Sequence, residues 1–276
     1  MKIIDTPQGT DQWLVEKWRA ATGTRFQSAI GAVMSSNGEM IVDGIKWAIV
    51  DGKIKRAELL TEAQIKKCKG DPDLKIELEY KAIAENKTRC AAIQETLMLE
   101  MISENRSILE INDYQSAEMA RGHEMEPLSI AAAAKRLNVE FATVGMLQSD
   151  IHPLFKFSPD AVHFDEDGVV TGGFETKSKA GKKHIEYIKL NELPKEHFWQ
   201  CICPMVMSKK VTWWMFAHYD DRDMIDPLFL TGIKRADYAE LIDLCEGVIL
   251  RFLNELERRT IELGGYYIEP LTIGEQ

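Results

Sequence analysis

Between residues 139 and 177 the sequence changes its period, and that change limits the fold more than any other feature. Upstream, over 74–103, apolar residues (Ile76, Tyr80, Ile83, Ala84, Ala91, Leu97, Met101) recur on a helical stripe, and a second helix is predicted over 114–137. Residues 139–147, 161–164 and 169–177 then read as strands, the last two joined by the turn sequence Glu166-Asp167-Gly168. A helix is predicted over 197–207, a buried strand over 211–219 and a long amphipathic helix from Tyr238 through Leu256. An edge strand is expected at 224–230, because Pro227 cannot donate to a central ladder. This order describes an α/β domain: a mixed central sheet flanked by helices, with an α-rich N-terminal half.

Near the N-terminus, Thr10 or Asp11 can cap a helix carrying Trp13, Leu14 and Trp18, and a short helix is predicted over 25–34. Residues 38–56 alternate apolar and polar around Asp43-Gly44 and Asp51-Gly52, the pattern of a β-ribbon. We read 36–75 as an inserted arm on a single domain spanning 1–276. Trp47, in that arm, is the aromatic expected to touch a ligand, whereas one of Trp213 and Trp214, on opposite faces of a strand, fills the core. No apolar run approaches the ~18 residues of a membrane span, and Met1-Lys2-Ile3-Ile4 runs straight into polar residues, so a cytoplasmic location is expected.

Five cysteines have no framework spacing; the Cys201/Cys203 pair lacks the second pair a zinc site needs, and buried thiols in a reducing compartment are expected. The six histidines show no metal-ligand spacing, and most read as packing or surface residues. Asp165-Glu166-Asp167-Gly168 reads as a hairpin turn rather than a calcium loop. A net charge of -10 weighs against a sequence-specific nucleic-acid binder. It weighs less against an enzyme whose acids surround metal ions, which bring their own positive charge.

The chemistry concentrates in Ser158-Pro159-Asp160 and Gly173-Phe174-Glu175-Thr176-Lys177. Strand alternation puts Glu175 and Lys177 on one face and Thr176 on the other. A hairpin turning at Asp167-Gly168 brings Asp160 beside them. Two adjacent carboxylates repel unless a cation sits between them, and hard oxygen donors suit Mg²⁺ or Mn²⁺. A neighbouring lysine can then orient or deprotonate water and balance charge on a phosphate. A plainer reading stays open, in which Glu175 and Lys177 form a solvated pair worth under about 1 kcal/mol.

At these residues the sequence resembles the PD-(D/E)xK nucleases and, within them, the phage lambda exonuclease family of viral alkaline exonucleases (YqaJ-like). Further blocks carry the resemblance in order: Gln8 to Trp13 with Thr22-Gly23-Thr24, Arg121 to Glu126, Phe198-Trp199-Gln200, and Trp213 to Asp220. It implies a restriction-endonuclease-like core in which Asp160 bridges two Mg²⁺ ions (Mn²⁺ substituting), Glu175 and the Thr176 carbonyl complete one site, and Glu126, rather than Glu124, helps hold the other. Pro127 is expected to distort the helix so that Glu126 turns inward. Lys177 would activate water, with Gln200 supporting it. Thr24 falls on the family's phosphate-pocket serine, and Lys17 falls where the family has arginine, with Arg19 two residues later, which leaves open which of them meets a 5′-phosphate. Ser158 and Lys179 are further DNA-contact candidates, although Lys179, Lys182 and Lys183 fit a solvated helix start nearly as well. The resemblance also implies a processive 5′→3′ exonuclease on double-stranded DNA ends. It would release mononucleotides, leave 3′ tails for phage-type recombination, assemble as a ring-shaped homotrimer and work with a single-strand annealing protein, encoded by a phage or prophage in a bacterial host. Two alternatives remain: a structure-specific or endonucleolytic nuclease of the same fold, and a non-catalytic DNA-binding recombination scaffold.

Overall fold

The computed structural model describes residues 1–35, 38–107, 116–179 and 181–265, which divide into two compact units. One contains described residues of 1–24 and 107–236, the other those of 25–106 and 237–265. After β1 (Lys2–Ile4), helix α1 (Asp11–Lys17) starts at Thr10, whose hydroxyl accepts from the Trp13 amide and so satisfies one of the helix's orphan donors. The helix predicted over 25–34 is a single turn, α2 (Phe26–Ala29), followed by β2 (Val33–Met34). Gly31 separates them at φ 63°, a left-handed step that a helix cannot absorb.

The β-ribbon over 38–56 forms as strands β3 (Met40–Val42), β4 (Ile45–Val50) and β5 (Lys53–Arg56). With β2 they make an antiparallel sheet in the order β2-β3-β4-β5. Both two-residue turns, Asp43-Gly44 and Asp51-Gly52, have positive φ at each position, as the twist of such hairpins demands. The register sets Trp47 opposite Met40, and both are fully buried at 0% exposure. Trp47 therefore fills the core of its unit, which corrects the expectation that it contacts a ligand.

Helix α3 (Glu62–Lys67) opens with a reciprocal capping box between Thr61 and Gln64. Helix α4 (Pro72–Asn105) begins at Asp71 with Pro72 in its first turn, where a missing N–H costs nothing. Its buried residues, Cys90, Leu97, Met98, Met101 and Ile102, all lie in the second half, while Ile76 and Tyr80 are exposed. The start predicted for the next helix, at 114, lies outside the described residues; α5 runs Ala117–Leu137 with Pro127 inside it.

In the first unit, β6 (Met146–Gln148) lies between β1 and β7 (Lys156–Phe157) in a small antiparallel sheet. The strand predicted over 139–147 is thus mostly replaced by one isolated bridge, Ala142 to Val162. The main sheet comprises β8 (Ala161–Phe164), β9 (Val170–Lys177), β10 (Trp213–Tyr219) and β11 (Leu228–Lys234), ordered β11-β10-β9-β8. Pairs β8–β9 and β10–β11 are antiparallel and β9–β10 is parallel, so the sheet is mixed. Helices α6 (Gly181–Leu190) and α7 (Lys195–Met207) make the crossover that the parallel pair requires.

The edge strand starts four residues later than predicted. Asp223 Oδ1 accepts from the Ile225 and Asp226 amides, which turns the chain and leaves Met224 and Ile225 98% and 95% exposed. On one face of the sheet, Ala133 of α5 packs with Ala161, Phe174, Ala217 and Leu228. On the other lie Trp214 and Phe216, each worth about 1.5–3 kcal/mol of buried apolar surface. Gly173 is obligatory here, since a Cβ would stand 2.2 Å from the buried Trp214 ring. Helix α8 (Arg235–Glu262) closes the described chain. All five cysteines are buried and none is in a disulfide. No helix among the described residues is long and apolar enough to cross a membrane.

Candidate active site

Strand β9 carries the site because its pairing with β8 fixes what faces what. Ala161 is opposite Phe174, so the next position along places Asp160 against the Glu175 end of the strand. There Asp160 Oδ2 accepts from the Thr176 amide at 2.6 Å. Glu175, only 4% exposed, receives Lys177 Nζ at 2.5 Å, and the same ammonium donates to the Thr176 carbonyl at 3.1 Å. The Thr176 hydroxyl points to the other face and pairs with Ser129 of α5 at 2.5 Å, which seats that helix on the strand. One turn before Ser129, the half-buried Glu126 lies close enough to feel the charges of Lys177 and Glu175, whereas Glu124 is exposed. Helix α5 is assigned without a break through Pro127, which removes the amide that the His123 carbonyl would otherwise meet.

Charge at this cluster is unbalanced, with three carboxylates facing one ammonium. Burial, reinforced by Glu175, pushes the Asp160 carboxyl well above the ordinary carboxylate value. Burial also raises Glu126, opposed by His123 and Lys177. For Lys177, burial would favour the neutral amine, but the fields of Glu175, Asp160 and Glu126 override it and hold the ammonium charged. The lysine is therefore an acid in this arrangement, and becomes available as a base only if its carboxylate partners are otherwise occupied.

Among the described residues, no three His, Cys, Asp or Glu side chains are arranged to hold a metal ion as they stand. The donor chemistry nevertheless fits a hard divalent cation. Asp160, Glu175, Glu126 and the Thr176 carbonyl are all oxygen donors, and two of them already hold a cationic group, the Lys177 ammonium. Burial and then the Glu175 charge raise Asp160, and such an ion would offset both by favouring the ionised carboxylate.

Behind Glu175 runs a polar network of which sequence reasoning named only Gln200. Gln200 of α7 donates from Nε2 to Glu175 Oε1 at 3.2 Å, and its Oε1 meets His197 Nδ1 at 3.1 Å. His197 stacks on Phe216 with ring centroids 4.6 Å apart, and its Nε2 lies 3.4 Å from the Tyr187 hydroxyl, which donates to Glu196 at 2.7 Å. A second chain supports the end of β9. The Lys179 amide donates to His218 Nε2, His218 Nδ1 meets His184 Nδ1 at 2.9 Å, and His184 Nε2 meets the Asp226 carbonyl at 2.8 Å. Burial drives His197 and His218 down to about 4, so both are neutral at physiological pH. The one available sequence signal was the i, i+3 spacing of His197 and Gln200 on a predicted helix.

Beside the carboxylates is a small cavity of about 50 Å³ lined by Lys17, Thr22, Thr24, Phe157, Ser158 and Gln200, among others. Lys17, Thr24, Ser158 and Gln200, far apart in sequence, thus converge. Arg19 and Lys179 do not line it: the Arg19 guanidinium covers the Trp18 ring at 3.8 Å and donates to the Ser107 carbonyl, and Lys179 is exposed. Thr24 is exposed, and its hydroxyl meets that of buried Thr22 at 3.0 Å. The Ser158 hydroxyl accepts from Trp13 Nε1 and gives its single proton to the Gly145 carbonyl, so as placed it has no donor left for an anion. It joins instead a latch that ties α1 to this segment, with Gln8 Nε2 on the Pro159 carbonyl and buried Lys156 on Glu16 at 2.5 Å.

Comparison with known proteins bears on the family and the fold. Residues 12–211 match the model of the YqaJ-like viral recombinase domain. An alkaline exonuclease from Laribacter hongkongensis (LHK-Exo) has a similar fold, with 24% identity and a TM-score of 0.59 over 92% of this chain and 96% of that one. The same enzyme in complex with dAMP gives 22% identity and a TM-score of 0.58 over the same shares. Comparison with curated proteins gave no significant match.

Proposed function

We propose, from the premise that this chain belongs to the YqaJ-like viral recombinase domain family, that it is a metal-dependent 5′→3′ exonuclease of double-stranded DNA. It releases mononucleotides and leaves 3′ single-stranded tails for recombination. The observation that carries the reading is the gathering of Asp160, Glu175, Lys177 and Glu126 at one end of β9, beside a cavity lined by Lys17, Thr24 and Gln200.

Asp160, Glu175, Glu126 and the Thr176 carbonyl would hold Mg²⁺, two ions in the fullest arrangement, with Mn²⁺ able to substitute. The bound metal supplies Lewis acidity toward the phosphodiester and a more acidic water. The remaining work belongs to the protein. Once its carboxylate partners are engaged, Lys177 orients the attacking water and takes up its proton. Gln200 holds Glu175 in place. Lys17, which lines the cavity where Arg19 does not, is the cation for a terminal 5′-phosphate, and Thr24 is its hydroxyl donor. As a point charge, Lys17 reads that phosphate less selectively than the fork of an arginine. The dAMP complex of the Laribacter enzyme supports a mononucleotide product. A ring-shaped homotrimer acting with a single-strand annealing protein completes the proposal.

The test is digestion of 5′-phosphorylated, 5′-hydroxyl and closed circular duplexes with Mg²⁺ and with chelator, followed by product sizing. Mononucleotides from linear duplex alone, faster with a 5′-phosphate, are expected. Cleavage of the circle would point to an endonuclease of the same fold, and absence of any cleavage to a scaffold.

A further inference from the structure

The amide of Gln200 has two ways to sit in its density of partners, and only one suits Glu175. An ionised carboxylate can only accept, so Gln200 must present its NH₂ to Glu175 Oε1. Its carbonyl oxygen then faces His197 Nδ1 at 3.1 Å, and that nitrogen must carry a proton. The imidazole is neutral, so Nε2 is bare, facing a Tyr187 hydroxyl that gives its own proton to Glu196 at 2.7 Å rather than to His197 at 3.4 Å. Each atom of the chain Glu196, Tyr187, His197, Gln200, Glu175 thereby has one assigned role.

We propose that His197 is a positioning residue, whose Nδ1–H locks the Gln200 amide so that it donates to Glu175 and keeps its second Nε2 hydrogen for the cavity lined by Lys17 and Thr24. This rests on the nuclease reading above and deepens it, because one amide then joins the catalytic carboxylate to the terminal-phosphate pocket. His197 can perform this task without moving. It is 5% exposed, its ring is stacked on Phe216 at an interplanar angle of 17°, and burial keeps it uncharged at any pH near neutrality. A flipped amide would set carbonyl oxygen against carboxylate oxygen and NH₂ against the Nδ1–H, which donates and cannot accept, so both ends oppose the flip.

Two substitutions and one spectrum test the proposal. His197→Phe keeps the stack on Phe216 and removes the donor; His197→Asn restores an N–H where Nδ1 stood. The phenylalanine variant should lose about 10–100-fold in turnover, the range seen when outer partners of metal ligands are removed. It should also narrow the rate ratio between 5′-phosphorylated and 5′-hydroxyl duplexes, and the asparagine variant should recover both. Nitrogen-15 spectra of the wild-type protein between pH 6 and 8 should show His197 neutral and protonated on Nδ1. An Nε2–H tautomer overturns the proposal, as does a phenylalanine variant with unchanged rate and ratio. So does an equal fall in both variants that simply tracks their melting temperatures. Should the wild-type protein digest no duplex at all, the nuclease reading fails, while the spectrum still decides the hydrogen-bond assignment; should His197→Phe not fold, the spectrum and His197→Asn carry the test.

Discussion

Asp160 illustrates how one side chain is held in an electrostatically costly place. It sits one residue before β8, accepts from the Thr176 amide and shares its surroundings with Glu175. Replacing it by asparagine keeps a carbonyl oxygen for that amide and removes a repelled charge. Asp160→Asn should therefore melt no lower than wild type in metal-free buffer, while metal-stimulated digestion of linear duplex falls more than about a hundredfold, beyond the loss typical of an outer partner. Denaturation followed by fluorescence, alongside product release, checks both halves; a folded variant with full activity ends the assignment. At this scale the sequence was informative where chemistry follows strand alternation, as for Asp160, Glu175 and Lys177. It read His184, His197 and His218 only as packing or surface residues: His184 and His218 meet across different elements, and the i, i+3 spacing of His197 and Gln200 on α7 does not by itself record a contact. Ser158 marks a different limit. A serine beside an acid suggests a ligand contact, but in the folded chain its proton is already given to the Gly145 carbonyl.

Elements are joined here by buried polar pairs as much as by apolar packing, and two consequences can be measured. His218, on β10, accepts from the Lys179 amide just past β9 and meets His184 of α6, and it titrates at about 4 rather than the ordinary 6.5. His197 does the same on α7. A folded-state pKa below the unfolded one means that the unfolded chain binds more protons between pH 6.5 and 4. Stability from these residues is thus fully present above that window and lost as pH falls through it. Each should contribute a slope of up to roughly 1.4 kcal/mol per pH unit there, and urea melts at pH 7, 6 and 5 should show it. Because the raised Asp160 and Glu126 carboxyls act with the opposite sign, the comparison with His218→Phe decides: an equally steep profile in that variant would refute the assignment. Lys156 and Glu16 form the second pair, both side chains nearly inaccessible. Lys156→Met leaves Glu16 buried without its cation and should cost about 3–5 kcal/mol, much of it restored by adding Glu16→Leu. Equal stabilities for the single and double variants in denaturant titrations would count against it. Element positions were legible where periodicity was long or turn residues were unambiguous, as in α4, the 38–56 ribbon and the β8–β9 hairpin. They were not legible where a local hydrogen bond decided the outcome, as when Asp223 delays β11 or Gly31 cuts α2 short.

For the whole molecule the sequence conveyed the fold class and the mixed sheet, through the alternation of helical and strand segments. The inward turn of Trp47 escaped it, since a tryptophan on an alternating ribbon faces in or out depending on what covers that ribbon. A net charge of -10 and an isoelectric point near 5.2 set a further constraint. A chain so acidic must gather its cations if it is to track a polyanion, and the proposed ring of three copies would do so if they line one channel. Sedimentation should then give about three times the 31.4 kDa chain mass at micromolar concentration. A monomer across the accessible concentration range would remove the ring and, with it, the physical basis for processive digestion.

Lys17 rests with its ammonium 4.6 Å from the centre of the Trp13 ring, and the indole nitrogen of Trp13 is bonded to Ser158. A cation over an indole perturbs its excited state, and Lys17 cannot face both the ring and an incoming phosphate with equal strength. On the proposed role of Lys17, the Trp13 ring is an optical reporter of substrate ends. Mixing it with 5′-phosphorylated duplex in a stopped-flow fluorimeter should give an emission change that Trp13→Phe abolishes, turning each docking event into light without an attached dye.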